Sequence, residues 1–224
     1  MRAYTSLAGH ILGSHSDING YYELHQDYCQ DDSVEIQIGR YLENDTLKPH
    51  SHFLFDKLLH NHYQLSEKLV RDNRNRILVS LRKPEPTIKS ILRLFRNKPR
   101  DSSFQQEPRA LNYYCDRLQQ LSEFCKKYEG CYHYYDAEDW VQQPDTLLLN
   151  LQHWLNLDTP LSGCYQQFSQ TGKARAGDSS AAIKSGEIKR ETSDYSDIKL
   201  GSDSIEIGEQ SYTQSRAILT QHSA

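Results

Sequence analysis

Several features that mark common protein classes are missing from this 224-residue chain. No apolar run approaches the roughly 20 residues needed to cross a bilayer, so we expect no transmembrane segment. The five cysteines form no C-x-x-C pair, which argues against a zinc ribbon and against thioredoxin-type chemistry. The N-terminal segment MRAYTSLAGHIL is a poor match to a signal peptide. A sparse, odd set of cysteines fits reduced thiols, and together these absences predict a cytoplasmic protein.

An excess of basic charge is also missing. The chain has 26 Lys and Arg residues against 30 Asp and Glu residues, for a net charge of -4. Proteins that bind nucleic acid through a general basic field carry the opposite balance, so we expect no nucleic-acid partner. The apolar fraction of 37% is low, but a charged fraction of 25% is ordinary for a globular protein. Length and composition therefore favour one folded domain with a tail.

What is present is an alternation of strand-like and helix-like segments. The predicted strands are residues 52–55, 76–81 and 131–135. The predicted helices are residues 5–13, 34–42, 56–70, a segment beginning at Pro84, a long segment through 111–128, 147–155 and 211–220. Such alternation predicts an α/β fold with a parallel sheet covered by helices on both faces. Ligands of these folds bind beyond the carboxyl ends of the strands, so the residues that follow each strand are candidate site residues.

The first candidate site is the segment of Arg2, Ala3, Tyr4, Thr5 and Ser6, which runs directly into the first predicted helix. Backbone N–H groups at a helix N-terminus, two hydroxyls and a cation can together hold an anion. A surface helix capped by Thr5 or Ser6 is the alternative interpretation. The segment is not a Walker A loop, because G-x-x-x-x-G-K-[ST] is absent, and this argues against ATP or GTP hydrolysis.

The second candidate site follows the clearest predicted strand. Arg82 stands at the carboxyl end of that strand, and Ser90 lies in the next helix on a face that can turn back toward it. A guanidinium and a hydroxyl placed in this way can share one phosphate. Residues 71–100 contain ten Lys and Arg residues and only two acidic residues, which suits an anionic ligand. A solvated basic face is the alternative.

The third candidate site is residues 171–180, with the sequence TGKARAGDSS. Two glycines, the cations Lys173 and Arg175, and consecutive hydroxyls can wrap a phosphate as a flap. A polar linker is the alternative interpretation of the same composition.

These three segments, in this order, resemble the P-loop-like sulfotransferase family, in particular its bacterial branch, over nearly the whole chain. The resemblance implies a P-loop NTPase-like α/β architecture, with residues 1–180 as the sulfotransferase-like domain and residues 181–224 as a polar extension containing the last helix. It also implies 3′-phosphoadenosine 5′-phosphosulfate (PAPS) as co-substrate and no metal. An acceptor hydroxyl on a small molecule, a carbohydrate or a lipid would receive the sulfuryl group.

The resemblance also assigns roles to the three segments. In that family a loop like residues 2–6 binds the 5′-phosphosulfate, and an arginine and a serine spaced like Arg82 and Ser90 bind the 3′-phosphate. A late flap like residues 172–180, which includes Lys173, Arg175 and Gly177, closes over the nucleotide. The order of glycine and lysine in this flap departs from the cytosolic enzymes.

Two residues compete for the role of general base under this resemblance. Several bacterial and Golgi-type sulfotransferases have a glutamate shortly after the first helix that takes the acceptor's proton, and Glu23 occupies the matching place. Cytosolic sulfotransferases use a histidine just after a lysine, an arrangement similar to Lys57 and His60 with one extra residue between them. Lys57 would then stabilise charge on the bridging oxygen. A surface glutamate and exposed helical positions for Lys57 and His60 are the alternatives.

Two further expectations concern the start of the chain and the rival functions. A P-loop fold has an apolar strand before its phosphate loop, and none precedes Arg2, so we expect a sulfotransferase-like domain that is N-terminally incomplete or has lost this strand. The rival function is a non-catalytic nucleotide-binding or interaction protein that kept the fold. A nucleotide kinase, which would bind ATP and magnesium, is a weaker third option.

Overall fold

The structure is a computed structural model that describes residues 2–96, 102–173, 182–190 and 194–224. Its strands are β1 (Ile18–Asn19), β2 (Phe53–Leu54), β3 (Ile77–Leu81) and β4 (Tyr132–Asp136). Its α-helices are α1 (Thr5–Ser14), α2 (Ser33–Leu42), α3 (Glu67–Arg71), α4 (Pro84–Phe95), α5 (Glu107–Lys127), α6 (Asp139–Gln142), α7 (Pro144–Leu155) and α8 (Ser202–Gln221). The fold is α/β, with two small parallel sheets flanked by helices. No helix in the described part of the chain is long and apolar enough to cross a membrane.

The described chain divides into two compact units, and the first combines residues 3–75 with the described part of residues 139–191. Its sheet pairs β1 with β2 in parallel, with Ile18 opposite Phe53. The sheet is short because β1 ends at Asn19, and the φ of +84° at the next residue, Gly20, turns the chain out of the extended conformation. Its core contains fully or almost fully buried side chains from α1, the segment after β1, α6 and α7, among them Ile11, Leu12, Tyr21, Trp140 and Leu151.

The second unit combines Arg2 with residues 76–138 and the described part of residues 192–224. Its sheet pairs β3 with β4 in parallel over five residues, from Ile77 opposite Tyr132 to Leu81 opposite Asp136. Helix α8 packs along α5 and α4. The approach of α8 to α4 is close, because a Cβ built on Gly208 would lie 2.8 Å from Pro84 Cβ. The buried core lies between this sheet and these helices and includes Ile88, Ile91 and Leu219.

Most elements predicted from the sequence are confirmed, including the three strands and the helices α1, α2, α4, α5, α7 and α8. The proposed capping of α1 by Thr5 or Ser6 is wrong, because the N-cap residue is Tyr4 and no side chain caps this helix. In place of one parallel sheet, the described strands form two two-stranded sheets. The division of the chain into residues 1–180 and 181–224 stays a prediction about domains.

The predicted helix over residues 56–70 is wrong, since only α3 at its end is helical. The preceding residues are held in a loop by hydrogen bonds to a distant segment. Tyr28 N–H donates to Gln64 O over 2.9 Å, and Ser66 N–H donates to Tyr28 O over 2.9 Å, as in a parallel bridge. The apolar spacing of this segment resembles a helical face, but extended backbone from residue 64 to 66 prevents a helix until Ser66 caps α3.

Candidate functional site

In the second unit, the structure brings together Arg2, Arg82 and Ser90, which we call the anion cluster. Arg82 follows β3 directly, and Pro84 begins α4 only two residues later because its fixed φ suits the first helical turn. Ser90 lies on the buried face of α4, between Ile88 and Ile91. Both polar residues are deeply placed, with Arg82 7% exposed and Ser90 1% exposed. The strand and helix thus hold a guanidinium and a hydroxyl in the interior of this unit.

The hydrogen bonds within the anion cluster run through Arg2. Its Nε donates to Ser90 Oγ over 2.7 Å, and its carbonyl oxygen accepts from Arg82 Nη1 over 2.9 Å. Arg2 has a φ of +65°, in the left-handed region that a non-glycine residue rarely adopts. Backbone strain of this kind persists where surrounding contacts fix it, often at binding sites. Arg2 thus links the guanidinium of Arg82, through its own carbonyl oxygen, to the hydroxyl of Ser90. Two guanidiniums and one hydroxyl joined in this way suit a phosphate or sulfate group.

Two residues that the sequence did not single out fix the turn between β3 and α4. The phenol of Tyr114 on α5 donates to Arg82 O over 2.8 Å. The carboxylate of Glu138, two residues after β4, accepts from Lys83 N–H over 3.1 Å. Glu138 follows β4 as Arg82 follows β3, so the rule about carboxyl ends of neighbouring strands could have found it.

In the first unit, the predicted phosphosulfate loop leads into α1. Ala3 is buried, and Tyr4 has a φ of +53°, so the chain turns sharply before Thr5. The first intrahelical bond joins Ala8 N–H to Tyr4 O over 2.9 Å. The N–H groups of the preceding turn have no helical acceptor, as at every helix N-terminus, and they carry the positive end of the helix dipole.

The segment after β1 crosses α1 closely and runs toward its N-terminus. A Cβ built on Gly13 would lie 2.5 Å from Gly20 O, and one built on Gly9 would lie 2.5 Å from Tyr21 O. From Gly20 to Tyr21 the segment therefore advances along α1 in the direction of Thr5.

Glu23 and Lys57, which the sequence proposed separately, form an ion pair in this unit. Lys57 Nζ lies 3.7 Å from Glu23 Oε1, and their side chains are 2% and 13% exposed. His25 Nδ1 lies 3.8 Å from the other carboxylate oxygen. The pair thus places a carboxylate beside a cation, although the sequence assigned Glu23 and Lys57 to two competing arrangements.

Asp56 fixes both members of this pair and was missed by the sequence analysis. Its Oδ1 accepts from Leu24 N–H over 3.0 Å and from Lys57 N–H over 2.7 Å, while its Oδ2 accepts from Tyr28 OH over 2.7 Å. Burial raises the pKa of Asp56, against these hydrogen bonds. The residue therefore joins the backbone next to Glu23 to that of Lys57. No local pattern reveals it, because its partners Leu24 and Tyr28 lie about thirty positions away in the sequence.

His60, the competing base, lies in a cluster of rings. Its imidazole stacks on that of His62 at 5.4 Å and faces the Tyr63 ring at 6.2 Å. Tyr63 in turn lies 6.3 Å from His25, the neighbour of Glu23. The structure thus places Glu23 beside Lys57, and His60 beside His62 and Tyr63.

The start of the predicted flap is anchored to α1. Thr171 Oγ1 lies 2.9 Å from His10 Nε2 and accepts from Phe168 N–H over 2.8 Å, and Lys173 is exposed. His10 Nδ1 lies 2.8 Å from Ser6 O, which leaves Nε2 as the acceptor for the Thr171 hydroxyl. Arg175 and Gly177 lie outside the described residues.

Comparisons with known proteins add no relative. No protein-family model matches the chain, and no match was found among curated proteins or solved structures. Within the described ranges, no group of three or more histidine, cysteine or acidic side chains is arranged to hold a metal ion. The anion cluster and the Glu23–Lys57 pair are therefore the two features of the described chain that bear on its function.

Proposed function

We propose that this protein is a PAPS-dependent sulfotransferase of P-loop-like architecture that transfers a sulfuryl group to a hydroxyl acceptor. The observation that carries the proposal is the anion cluster, in which Arg2 Nε donates to Ser90 Oγ over 2.7 Å and Arg82 holds the Arg2 backbone. Arg82 and Ser90 are the residues whose spacing matches the family's 3′-phosphate site.

The 3′-phosphate of the donor would bind at the anion cluster. A phosphate monoester presents three oxygens and nearly two negative charges, which two guanidiniums and a hydroxyl complement. The resemblance places the 5′-phosphosulfate at residues 2–6, of which Arg2 also belongs to the anion cluster, and the N-terminus of α1 would supply N–H donors and the positive end of a dipole. Lys173, Arg175 and Gly177 belong to the segment that closes over the nucleotide in that family.

The transfer step uses the Glu23–Lys57 pair. The acceptor oxygen attacks the sulfur of PAPS, the bond from sulfur to the 5′-phosphate oxygen breaks, and adenosine 3′,5′-bisphosphate leaves. Glu23 takes the acceptor's proton, which raises the nucleophilicity of the attacking oxygen. Lys57 stabilises the charge that develops on the bridging oxygen. Most of the rate enhancement would come from positioning and charge stabilisation, as in phosphoryl transfer.

The carboxylate of Glu23 suits this role because the ammonium of Lys57 lies beside it. Their separation of 3.7 Å keeps a cation beside the base without a direct hydrogen bond that would block its oxygen. Asp56 fixes the backbone beside both residues, so their separation depends on a buried framework and not on two mobile side chains.

The proposal is tested by incubating the protein with sulfur-labelled PAPS and a panel of phenols, carbohydrates and lipid alcohols. We expect label transfer to at least one acceptor class, and a loss of about 100-fold or more in the Glu23→Gln variant. Glu35→Gln, an exposed residue of α2, is the matched control and should retain full activity. Nucleotide binding without transfer to any acceptor would favour the non-catalytic binding protein, and full activity of Glu23→Gln would remove Glu23 from the mechanism.

A further inference from the structure

Glu138 is an acidic residue placed beside a site built for anions. It lies two residues beyond β4, whose last residue pairs with the last residue of β3, while Arg82 and Lys83 follow β3. Its Oε1 accepts from Lys83 N–H over 3.1 Å. Because β3 and β4 are neighbouring strands, the residues that follow them lie close together. Glu138 therefore brings a negative charge next to Arg82, a cation of the anion cluster.

The second carboxylate oxygen of Glu138 has no partner within the described residues. Oε2 is fully buried there and makes no hydrogen bond in this part of the chain. A buried ionised oxygen without a hydrogen bond is costly, and hydrogen bonds to the rest of the group and nearby positive charge offset the cost. For Glu138 the N–H groups of Lys83 and of Glu138 itself lower the pKa of the carboxyl group, and so do the charges of Arg82 and Lys83.

Two phenols also interact with the charge of Glu138, those of Tyr114 on α5 and Tyr212 on α8. Burial raises the pKa of each phenol above its ordinary value, so both stay neutral at physiological pH. The charge balance around Glu138 therefore depends on Arg82 and Lys83. It also depends on the anion that the anion cluster binds.

We propose that Glu138 is a positioning residue that couples anion binding at the anion cluster to the uptake of a proton by its own carboxyl group. The inference deepens the proposed function, because it concerns the same site. With no anion bound, the Glu138 carboxylate is stabilised by Arg82. A bound phosphate or sulfate neutralises that cation, and Glu138 then accepts one proton from solvent to form a neutral carboxyl group. The reverse happens when the anion leaves.

The direction of the effect follows from the charges. Burial already raises the pKa of Glu138 above its ordinary value, although the Lys83 N–H and the two cations oppose this shift. A bound anion weakens that opposition and raises the pKa further. By linkage, the anion must bind more tightly as pH falls and Glu138 becomes neutral. A Gln side chain at this position keeps a carbonyl acceptor for Lys83 N–H. It removes the negative charge that competes with a bound anion for Arg82.

The experiment is calorimetric titration of the protein with sodium sulfate between pH 5.5 and 8. Sulfate keeps its charge over this range, so any pH dependence belongs to the protein. Repeating the titration in buffers of different ionisation enthalpy measures the number of protons taken up. The variants are Glu138→Gln and the matched control Glu129→Gln, which replaces a glutamate of the same unit whose side chain is 67% exposed.

We expect the wild type and Glu129→Gln to take up a fraction of a proton per sulfate and to bind several-fold more tightly at pH 5.5 than at pH 8. Glu138→Gln should bind more tightly than the wild type at pH 8 and show no proton uptake. The wild-type measurement stands alone if the variant does not fold. Absence of sulfate binding, absence of proton uptake in the wild type, or equal uptake in Glu138→Gln would overturn the inference. Proton-coupled sulfate binding without PAPS turnover would contradict only the proposed function.

Discussion

Arg2 and Ser90, 88 positions apart in the sequence, are joined by a hydrogen bond of 2.7 Å from Nε to Oγ. Ser90 is almost completely buried, so this bond is shielded from water. Arg82 fixes the same arginine from the other side by donating to its carbonyl oxygen. Arg2 and the helix after β3 therefore contribute to the same cluster of cationic and hydroxyl side chains.

The first prediction concerns the hydroxyl of Ser90. Replacing Ser90 by Ala removes the acceptor for Arg2 Nε and one ligand for a bound phosphate, so adenosine 3′,5′-bisphosphate should bind about tenfold more weakly. Calorimetric titration measures the change. Ser122→Ala is the matched control, because that serine is also buried in the second unit and bonds only to Leu118 O of its own helix. Equal affinity of the two variants would show that Ser90 does not hold the ligand.

The second prediction concerns the coupling between Glu23 and Lys57. Each single replacement, Glu23→Gln or Lys57→Met, leaves one charge of a largely buried pair without its counter-charge. The double variant removes both charges, so its loss of stability should be smaller than the sum of the single losses by about 1–3 kcal/mol. Urea unfolding of the four proteins of the cycle measures this difference. Additive losses would mean that the two charges do not interact.

A third prediction concerns the C-terminal end of α1. The ammonium of Lys48 donates to the carbonyl oxygens of Gly13, His15 and Ile18, the latter two over 2.7 Å. Burial lowers the pKa of this lysine, but these acceptors and the negative end of the helix dipole hold it in place.

The corresponding variant is Lys48→Met, which should lower the free energy of unfolding by about 2 kcal/mol, because three carbonyl groups lose a charged donor. Lys68→Met is the control. Lys68 is exposed, and among the ion pairs of the described chain it has one, at 2.8 Å to the exposed Asp31. Its stability should equal that of the wild type in urea unfolding. Similar losses for both variants would show that Lys48 does not stabilise the C-terminal end of α1.

The fourth prediction is a pH dependence that arises at the end of β4. Asp136 accepts from Arg216 of α8 at 2.6 Å and from Tyr134 OH at 2.6 Å. Burial raises the pKa of Asp136, but the hydrogen bonds from Arg216 and Tyr134 outweigh it and hold the pKa below its ordinary value. A depressed carboxyl pKa stabilises the fold above the pKa of the unfolded chain and loses this contribution as pH falls.

The variant Asp136→Asn should therefore be less stable than the wild type by roughly 1–2 kcal/mol at pH 7, because a partly exposed bidentate pair is lost. The difference should shrink below about pH 4, where an aspartate becomes protonated. Thermal or urea unfolding at pH 7 and pH 3 measures it. A difference that stays constant over this range would show that the charge of Asp136 is not responsible.

Much of the local structure could be predicted from the sequence, because it depends on neighbouring residues. The apolar run after Arg76 predicts β3, the prolines predict the start of α4, and the spacing of Ile88 and Ile91 predicts its buried face. The positions of Arg82 after β3 and of Ser90 on α4 follow from the same short-range patterns, since a predicted strand and the next predicted helix carry them.

The rest of the candidate site depends on contacts that no short pattern encodes. Asp56 binds Leu24 and Tyr28, and these long-range bonds replace the helix that residues 56–70 would otherwise favour. Glu138 becomes relevant only once β4 is known to pair with β3. The joining of Arg2 to Ser90 likewise requires the folded chain.

The proposed function requires that the anion cluster recognises the 3′-phosphate of an adenine nucleotide. The most direct test is calorimetric titration of the wild-type protein with adenosine 3′,5′-bisphosphate, with adenosine 5′-monophosphate, which lacks the 3′-phosphate, and with ATP plus magnesium. We predict that the bisphosphate binds at least about tenfold more tightly than either competitor, because a phosphate held by two guanidiniums and a hydroxyl contributes charge-assisted hydrogen bonds that the other two ligands cannot form. Equal affinity for the monophosphate, or a preference for ATP, would contradict the claim.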